Sequence, residues 1–217
     1  MSSERLFKVL DGNKPAHGGS GTWPLAMWKP GDWLEAEGKL EPCCNGLHLC
    51  REGDLARWLG PDIWAVEYDG ERIDCDDKIV VRKARLVHKY ETWNDRTARL
   101  FAVDCAEQVK HLMKDERSVA ALGIARRYAN GDATREELDA AWDAAGDAAW
   151  AAARDAPCAA AGGAAWAATG GAAWGAARAA ARAAAWGAAW DAARDAAEDA
   201  ARAWQTIRLM EYLEGEE

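Results

Sequence analysis

Short runs of alternating apolar and polar residues over the first 92 positions predict a small mixed β domain. Strands are expected at residues 6–10, 39–43, 47–50, 63–68, 72–75 and 78–87, with a short helix at 53–59. Three turn dipeptides lie between or after them: Asp11-Gly12, Asn45-Gly46 and Asp69-Gly70. The second of these predicts a hairpin that joins 39–43 to 47–50. In the last strand, Ile79 and Val81 would share one buried face.

The periodicity becomes helical after residue 93, and capping residues indicate where helices begin and end. Asn94 or Asp95 can cap a helix that runs to about residue 113. A second helix is expected over 117–129, because Asn130-Gly131 is typical of a helix end. Thr134 followed by Glu137 predicts a capping box, which opens a third helix that would continue to residue 155 and end before Pro157.

A strict four-residue repeat occupies residues 140–203. Its sixteen tetrads have Ala at the first two positions, with Pro157 and Thr169 as the exceptions. Because alanine is the best helix former, the repeat is predicted to be helical. The third position carries Trp, Arg, Gly, Cys or Glu, and Trp there would fill the space that alanine leaves between closely packed helices.

The four-residue period restricts how long a straight helix can keep the third position on one face, because each step overshoots a turn by about 40°. A right-handed supercoil would accommodate this drift, and so would a division into shorter helices. Pro157 and the glycine pairs at 162–163 and 170–171 favour division. Helices are therefore expected at about 134–156, 158–169 and 172–213. The whole pattern predicts an α+β protein, with a mixed β domain at 1–92 and an all-α, Ala/Trp-rich bundle at 93–217.

Composition excludes several classes of protein. Half of the residues are hydrophobic, which is unlike a disordered chain. No uncharged apolar run reaches about 18 residues, so no membrane span is expected, and no signal peptide is recognised. The formal charge of −9 makes nucleic acid an improbable partner. With six cysteines and no export signal, we expect free thiols and a cytoplasmic location.

The cysteine-rich segment at 43–50 offers candidate chemistry. Cys44, His48 and Cys50 could hold zinc together with a remote ligand such as Cys75 or His17, although the chain lacks a Cys-x-x-Cys knuckle. A nucleophilic pair of Cys50 and His48 is another interpretation. The interpretation we favour is small thiols packed in a sheet beside a hydrogen-bonded His48, with no cofactor.

The third column of the repeat offers a candidate binding surface. Trp and Arg are enriched at interface hot spots, and both stack on flat ligands. Arg178 and Arg182 lie one turn apart and would form the centre. The predicted binding residues are Trp174, Arg178, Arg182, Trp186, Trp190 and Arg194. In the alternative interpretation these side chains only pack within a bundle.

Two parts of the chain resemble known groups of proteins. Residues 6–11 (LFKVLD), 42–50 (PCCNGLHLC) and 76–81 (DDKIVV) resemble an uncharacterised domain that is common in phage and bacterial genomes. Residues 93–107 and 125–131, followed by the Ala/Trp repeat, resemble proteins labelled as immunity proteins. This resemblance implies a binding or neutralising role, and it assigns no role to any single residue.

A further resemblance concerns the order of elements in the first domain. A His-Gly pair after the first strand, a Gly-x-His strand with a short helix, and a Val-Glu-Tyr strand are similar to ADP-ribosyltransferase-like folds. That similarity implies NAD bound by His17, Gly18 and His48, with Glu67 or Glu71 as the acid.

We expect a non-enzymatic binding protein of phage or mobile-element type. It would sequester or occlude a partner protein or a nucleotide-like ligand. An ADP-ribosyltransferase-like domain with a helical accessory domain, and a homo-oligomeric structural protein, are the alternatives.

Overall fold

The computed structural model describes residues 4–151, 156–170, 173–191 and 194–215, with side chains described for 4–151, 160–170, 175–186 and 196–215. The chain divides into two compact units, Met1–Trp93 and Asn94–Glu217. The strands of the described residues lie in the first unit, and the second unit is helical. The protein therefore belongs to the α+β class, as the pattern predicts.

Among the described residues, six strands of different lengths form an antiparallel sheet in the first unit. They are β1 (Leu6–Asp11), β2 (Lys14–Pro15), β3 (Leu34–Glu35), β4 (Leu47–Arg51), β5 (Asp62–Asp74) and β6 (Ile79–Lys89). Strand β1 pairs with β4, β4 with β6, β6 with β5, and β5 with β1, so these four strands close into a small barrel. A 3₁₀ helix at Glu52–Arg57 follows β4.

The predicted turns at Asn45-Gly46 and Asp69-Gly70 do not join two strands as hairpins. Residues 39–43 form no strand, because β4 pairs with β1 and β6 and leaves no edge for a hairpin partner. The predicted turn at Asp69-Gly70 is also wrong, since β5 runs unbroken through it for 13 residues. Its pairing with β6 shifts register between Asp69 and Arg72, so Gly70, with a φ of +79°, lies in a bulge.

The start of β6 is buried on both of its faces. Ile79 and Val81 are fully buried, as predicted, but Val80 between them is also fully buried. The prediction of a half-buried strand is therefore wrong at this point. In a closed barrel, one face of each strand points to the interior. At Val80 the other face is covered by the segment around Gly46, which leaves no room there for a Cβ atom.

Six α-helices of the described residues build the second unit: α1 (Asp95–Gln108), α2 (Glu116–Ala129), α3 (Arg135–Ala151), α4 (Ala156–Thr169), α5 (Ala173–Asp191) and α6 (Arg194–Glu214). A 3₁₀ helix at Lys110–Leu112 follows α1. The predicted caps are confirmed. The Asn94 side chain accepts hydrogen bonds from the Arg96 and Thr97 N–H groups, and Thr134 and Glu137 form the reciprocal capping box. None of the described helices is long and apolar enough to span a membrane.

The repeat is divided into separate helices, as its proline and glycine residues predict, but the division differs from the expected one. Residues 152–155 lie outside the described part, and Pro157 lies in the first turn of α4, where a missing N–H is tolerated. A single helix over 172–213 is wrong. Helices α5 and α6 pack against each other instead, and Gln205 Nε2 of α6 donates to the Ala181 carbonyl of α5 at 2.9 Å.

Among the described residues of the repeat, alanine forms the buried core. Trp150 is 81% exposed and Trp186 57%, so the expectation that Trp fills the space between helices is wrong for these residues. Over the part of the repeat whose side chains are described, the buried alanines are Ala141, Ala145, Ala148, Ala161, Ala164, Ala165, Ala168, Ala176, Ala177, Ala180, Ala181, Ala184 and Ala185.

Glycine at the third tetrad position receives tryptophan from the facing helix. The rings of Trp142 in α3 and Trp166 at the end of α4 stack with centroids 5.6 Å apart. A Cβ atom on Gly170 would lie 2.3 Å from Trp142 Nε1, and one on Gly146 would lie 3.2 Å from Trp166 Nε1. The alternation of Trp and Gly in this column is therefore a packing pattern between antiparallel helices.

This packing predicts that Gly170→Ala destabilises the helical unit by about 1–3 kcal/mol, because the new methyl group overlaps the Trp142 ring. Gly163→Ala is the matched control, since nothing lies within 4 Å of its added Cβ. It should stabilise α4 by about 0.5–1 kcal/mol, as alanine favours the helix more than glycine does. Urea unfolding followed by far-ultraviolet circular dichroism measures both changes. Equal stabilisation by the two substitutions would show that the Trp142 contact is not restrictive.

Candidate functional site

Helix α5 presents three of the six predicted binding residues in one exposed row. Arg178, Arg182 and Trp186 follow each other at intervals of four residues, so their side chains lie above one another on the helix. All three are exposed. The row covers about 12 Å of helix length. The other predicted members, Trp174, Trp190 and Arg194, have side chains outside the described part of the chain.

The row lies in the least acidic part of the chain. Residues 156–190 contain two arginines, Arg178 and Arg182, and no Asp or Glu, whereas the whole chain has a formal charge of −9. Helix α3 is the opposite case, with five acidic residues and one arginine between residues 135 and 151. The segment that carries the row is therefore basic, and its two arginine side chains would attract carboxylates or phosphates.

The opposite face of α5 is buried and holds the backbone of the row in place. The alanines at 176–177, 180–181 and 184–185 on the other side of the helix are buried. Ala181 also accepts a hydrogen bond through its carbonyl from Gln205. Because the backbone below the row is held by packing, only side-chain freedom is lost when a ligand binds.

The structure does not assemble the alternative zinc site of Cys44, His48 and Cys50. His48 Nε2 accepts a hydrogen bond from the Cys43 N–H at 3.0 Å, so this ring nitrogen is occupied. Cys50 is buried, whereas Cys44 is exposed. Over the residues that the structure describes, no group of three or more His, Cys, Asp or Glu side chains could hold a metal ion.

The nucleophilic pair of Cys50 and His48 also lacks support. Burial raises the pKa of the Cys50 thiol to about 12, so the thiolate that would attack a substrate does not form at neutral pH. Burial, followed by the nearby Lys8 and Lys78 ammonium groups, holds the pKa of His48 below its usual 6.5. Neutral His48 with a hydrogen-bonded ring matches the structural interpretation of this residue.

The residues of the NAD interpretation lie apart and already have partners. His48 lies opposite Val80 on β6, and Glu67 lies opposite Arg85, five residues further along the same strand. That spacing corresponds to about 16 Å. Glu67 forms an ion pair with Arg85 at 2.6 Å, as Glu71 does with Arg82 at 2.7 Å.

The His17-Gly18 loop, the other part of the NAD interpretation, is anchored to the barrel. His17 Nε2 lies 2.6 Å from the Trp58 carbonyl and 3.1 Å from the Leu59 carbonyl. The His17 ring also meets the Trp58 ring edge-on, with centroids 5.6 Å apart. These contacts use Nε2 of His17 to hold the loop against the barrel. A cofactor would have to compete with them for this nitrogen.

One exposed surface in the first unit was missed by the sequence reasoning. Segment 23–33 forms no strand or helix, and it exposes two adjacent apolar side chains, Met27 at 78% and Trp28 at 94%. The Gly31 N–H donates to the Leu86 carbonyl of β6 at 2.9 Å and holds the end of this loop. The available signal was the position of Met27 and Trp28 between two prolines, where strand pairing is disfavoured.

Comparison with known proteins adds no family to this description. No protein-family model, no curated protein and no solved structure matches the chain significantly. The resemblance to immunity proteins therefore stays a prediction, and the function has to be argued from the exposed residues themselves.

Proposed function

We propose that this protein binds an acidic surface of a partner protein through Arg178, Arg182 and Trp186 of α5, and that it acts by occluding that surface. The observation that carries the proposal is the exposed Arg-Arg-Trp row in a segment without acidic residues. No catalytic turnover is needed for this role. A neutralising function, as the resemblance to immunity proteins implies, would follow from occlusion alone.

The chemistry of the row favours carboxylates on a regular element. Each guanidinium can donate two parallel hydrogen bonds to one carboxylate, and such charge-assisted pairs are the strong ones. Arg178 and Arg182 are one helical turn apart, so they match two acidic residues spaced by one turn on a partner helix. Trp186 adds a large apolar contact at the end of the row, which is typical of an interface hot spot.

Site-specific photo-crosslinking in a lysate of the producing cell tests this proposal. A benzoylphenylalanine at Ala179, which is exposed beside the row, should capture one polypeptide, and the crosslinked peptide should be acidic. The same probe at Gly123, an exposed site on α2 with open space around it, is the positional control and should not capture it.

Charge-reversal variants make the experiment decisive. Arg178→Glu with Arg182→Glu should lower capture at least tenfold, because both carboxylate contacts become repulsive. Arg117→Glu with Arg135→Glu changes the net charge equally on exposed helical positions and should leave capture unchanged. Equal capture by both double variants would overturn the proposal. So would ATP that binds the row and, when added before irradiation, prevents capture, since the row would then be a nucleotide site.

A further inference from the structure

The chain leading into β4 contains a tight turn with an uncommon residue at its central position. The Cys44 N–H donates to the Glu41 carbonyl at 3.1 Å, with Pro42 and Cys43 between them. Cys43 has a φ of +65°. Among the residues that the structure describes, no other non-glycine residue has a positive φ. Proline followed by a positive φ is typical of a type II turn, where Gly or Asn normally occupies the third position.

Several hydrogen bonds hold this turn in place. Glu41 and Asn45 exchange both backbone hydrogen bonds, each at 2.8 Å. The Asn45 side chain donates to two carbonyls of residues 37 and 39, at 2.6 and 2.8 Å. The Cys43 N–H donates to His48 Nε2 of β4. The sterically disfavoured backbone at Cys43 is therefore imposed by its surroundings, and strained residues of this kind are concentrated at functional positions.

The turn presents two adjacent thiols to solvent. Cys43 and Cys44 are both exposed and reduced. Consecutive Cα atoms lie about 3.8 Å apart, which is below the range of about 4.4–6.8 Å spanned by ordinary disulfides. A direct disulfide between them is therefore strained, whereas one larger soft atom can bridge the two sulfurs without bringing them into bonding contact.

We propose that Cys43 and Cys44 form a dithiol site for a thiophilic trivalent centre, for which trivalent arsenic compounds are the matching class. An arsonous acid, R–As(OH)₂, would react with both thiols. Two As–S bonds form, two As–O bonds break, and the two hydroxyls leave as water with the thiol protons. Arsenic stays trivalent, so no oxidant or reductant takes part. This inference is independent of the function proposed for α5.

Titration of the reduced full-length protein with phenylarsine oxide tests the site. One equivalent should bind and protect Cys43 and Cys44 from iodoacetamide, as located by peptide mapping. Cys44→Ser should weaken binding at least 100-fold, because a single thiol cannot chelate. Cys43→Gly should do the same while retaining the fold, since glycine suits the positive φ of this turn position. Cys75→Ser is the thiol control and should bind as the unmodified chain does.

Three results would overturn the inference. The first is full affinity in Cys44→Ser or Cys43→Gly, which would mean that the adjacent pair is not the ligand. The second is protection that maps to Cys75 together with one of the pair, because the site would then be a different one. The third is the absence of binding by the reduced, folded protein. Circular dichroism of each variant verifies the fold before titration.

Discussion

Replacing Asp104 by alanine is expected to destabilise the helical unit by about 3 kcal/mol. Asp104 lies in α1 with 8% of its surface exposed, and its carboxylate joins three elements. Oδ1 accepts from Arg126 Nη2 of α2, and Oδ2 accepts from Arg208 Nε and the Tyr212 hydroxyl of α6, each at 2.7 Å. Alanine would leave these three donors without their shared acceptor.

The size of this effect follows from burial. Breaking a fully buried ion pair costs about 3–5 kcal/mol, and we take the lower end because the Arg126 and Arg208 side chains are 36% and 28% exposed and can reach water. Burial and the hydrogen bond to Asp104 together raise the pKa of Tyr212, so this hydroxyl remains a donor well above neutral pH.

Asp139→Ala is the matched control for Asp104→Ala. Asp139 also forms a helix ion pair, with Arg135 at 2.9 Å, but both side chains are more than half exposed. Its loss should change stability by less than about 0.5 kcal/mol. Urea unfolding monitored at the helical circular dichroism signal compares the two variants. If Asp104→Ala is no more destabilising than Asp139→Ala, the network does not hold α1, α2 and α6 together.

Replacing Lys8 by methionine should stabilise the first unit by about 2–3 kcal/mol at pH 7, the second large effect that we expect. Lys8 is 9% exposed in β1, and its Nζ lies 5.0 Å from the centre of the Trp23 ring. Its one described hydrogen bond runs to the His48 carbonyl at 3.0 Å. Burial lowers the pKa of Lys8 from 10.5 to about 8, a difference that corresponds to roughly 3 kcal/mol.

The pH dependence identifies Lys8 as the cause. The folded chain releases the Lys8 proton near pH 8 and the unfolded chain near 10.5, so stability rises with pH across this interval. Cys50 acts in the opposite direction above pH 9, since burial raises the pKa of its thiol to about 12. Both proteins contain Cys50, so its contribution largely cancels when the free energies of unfolding of the unmodified chain and of Lys8→Met are subtracted at each pH. The advantage of Lys8→Met should therefore decrease steadily from pH 8 to 10.5.

Lys39→Met is the control for the loss of a lysine, because Lys39 is exposed. Its effect should stay within about 0.5 kcal/mol at every pH. Urea unfolding followed by tryptophan fluorescence measures the three proteins. A pH-independent gain in Lys8→Met would mean that packing, and not desolvation of the ammonium, is responsible. A loss of stability at pH 7 would mean that the hydrogen bond and the contact with Trp23 outweigh desolvation.

Lys8 and Trp64 also show what pattern reasoning cannot detect. The alternation over 6–10 predicts β1 correctly but gives no reason to expect a buried ammonium in it. Trp64 lies directly opposite Lys8 in β5, and its buried Nε1 has no hydrogen-bond partner among the described residues. Both features arise because β5 pairs with a strand that is more than fifty residues away in sequence.

The candidate site was predicted in part. Arg178, Arg182 and Trp186 share an exposed row because residues four apart lie on one helical face, which is a local property of the sequence. That Ala and not Trp forms the core beneath them was not predicted. Burial depends on how closely neighbouring helices approach, and the tetrad pattern is compatible with either arrangement until the helices are packed.

The sequence by itself determined the α+β class and the helix caps at Asn94 and Thr134. Hydrogen bonds within about four residues decide those caps. The sequence also predicted that the repeat is divided, but the packing of α5 against α6 was decided by the tertiary structure. The tertiary structure alone decided that Asn45-Gly46 turns no hairpin, that β5 continues through Gly70, and that Asp104 joins three helices. Each of these depends on a partner distant in the chain, and an extended neighbour or a buried charge pair can outweigh a local turn or helix preference.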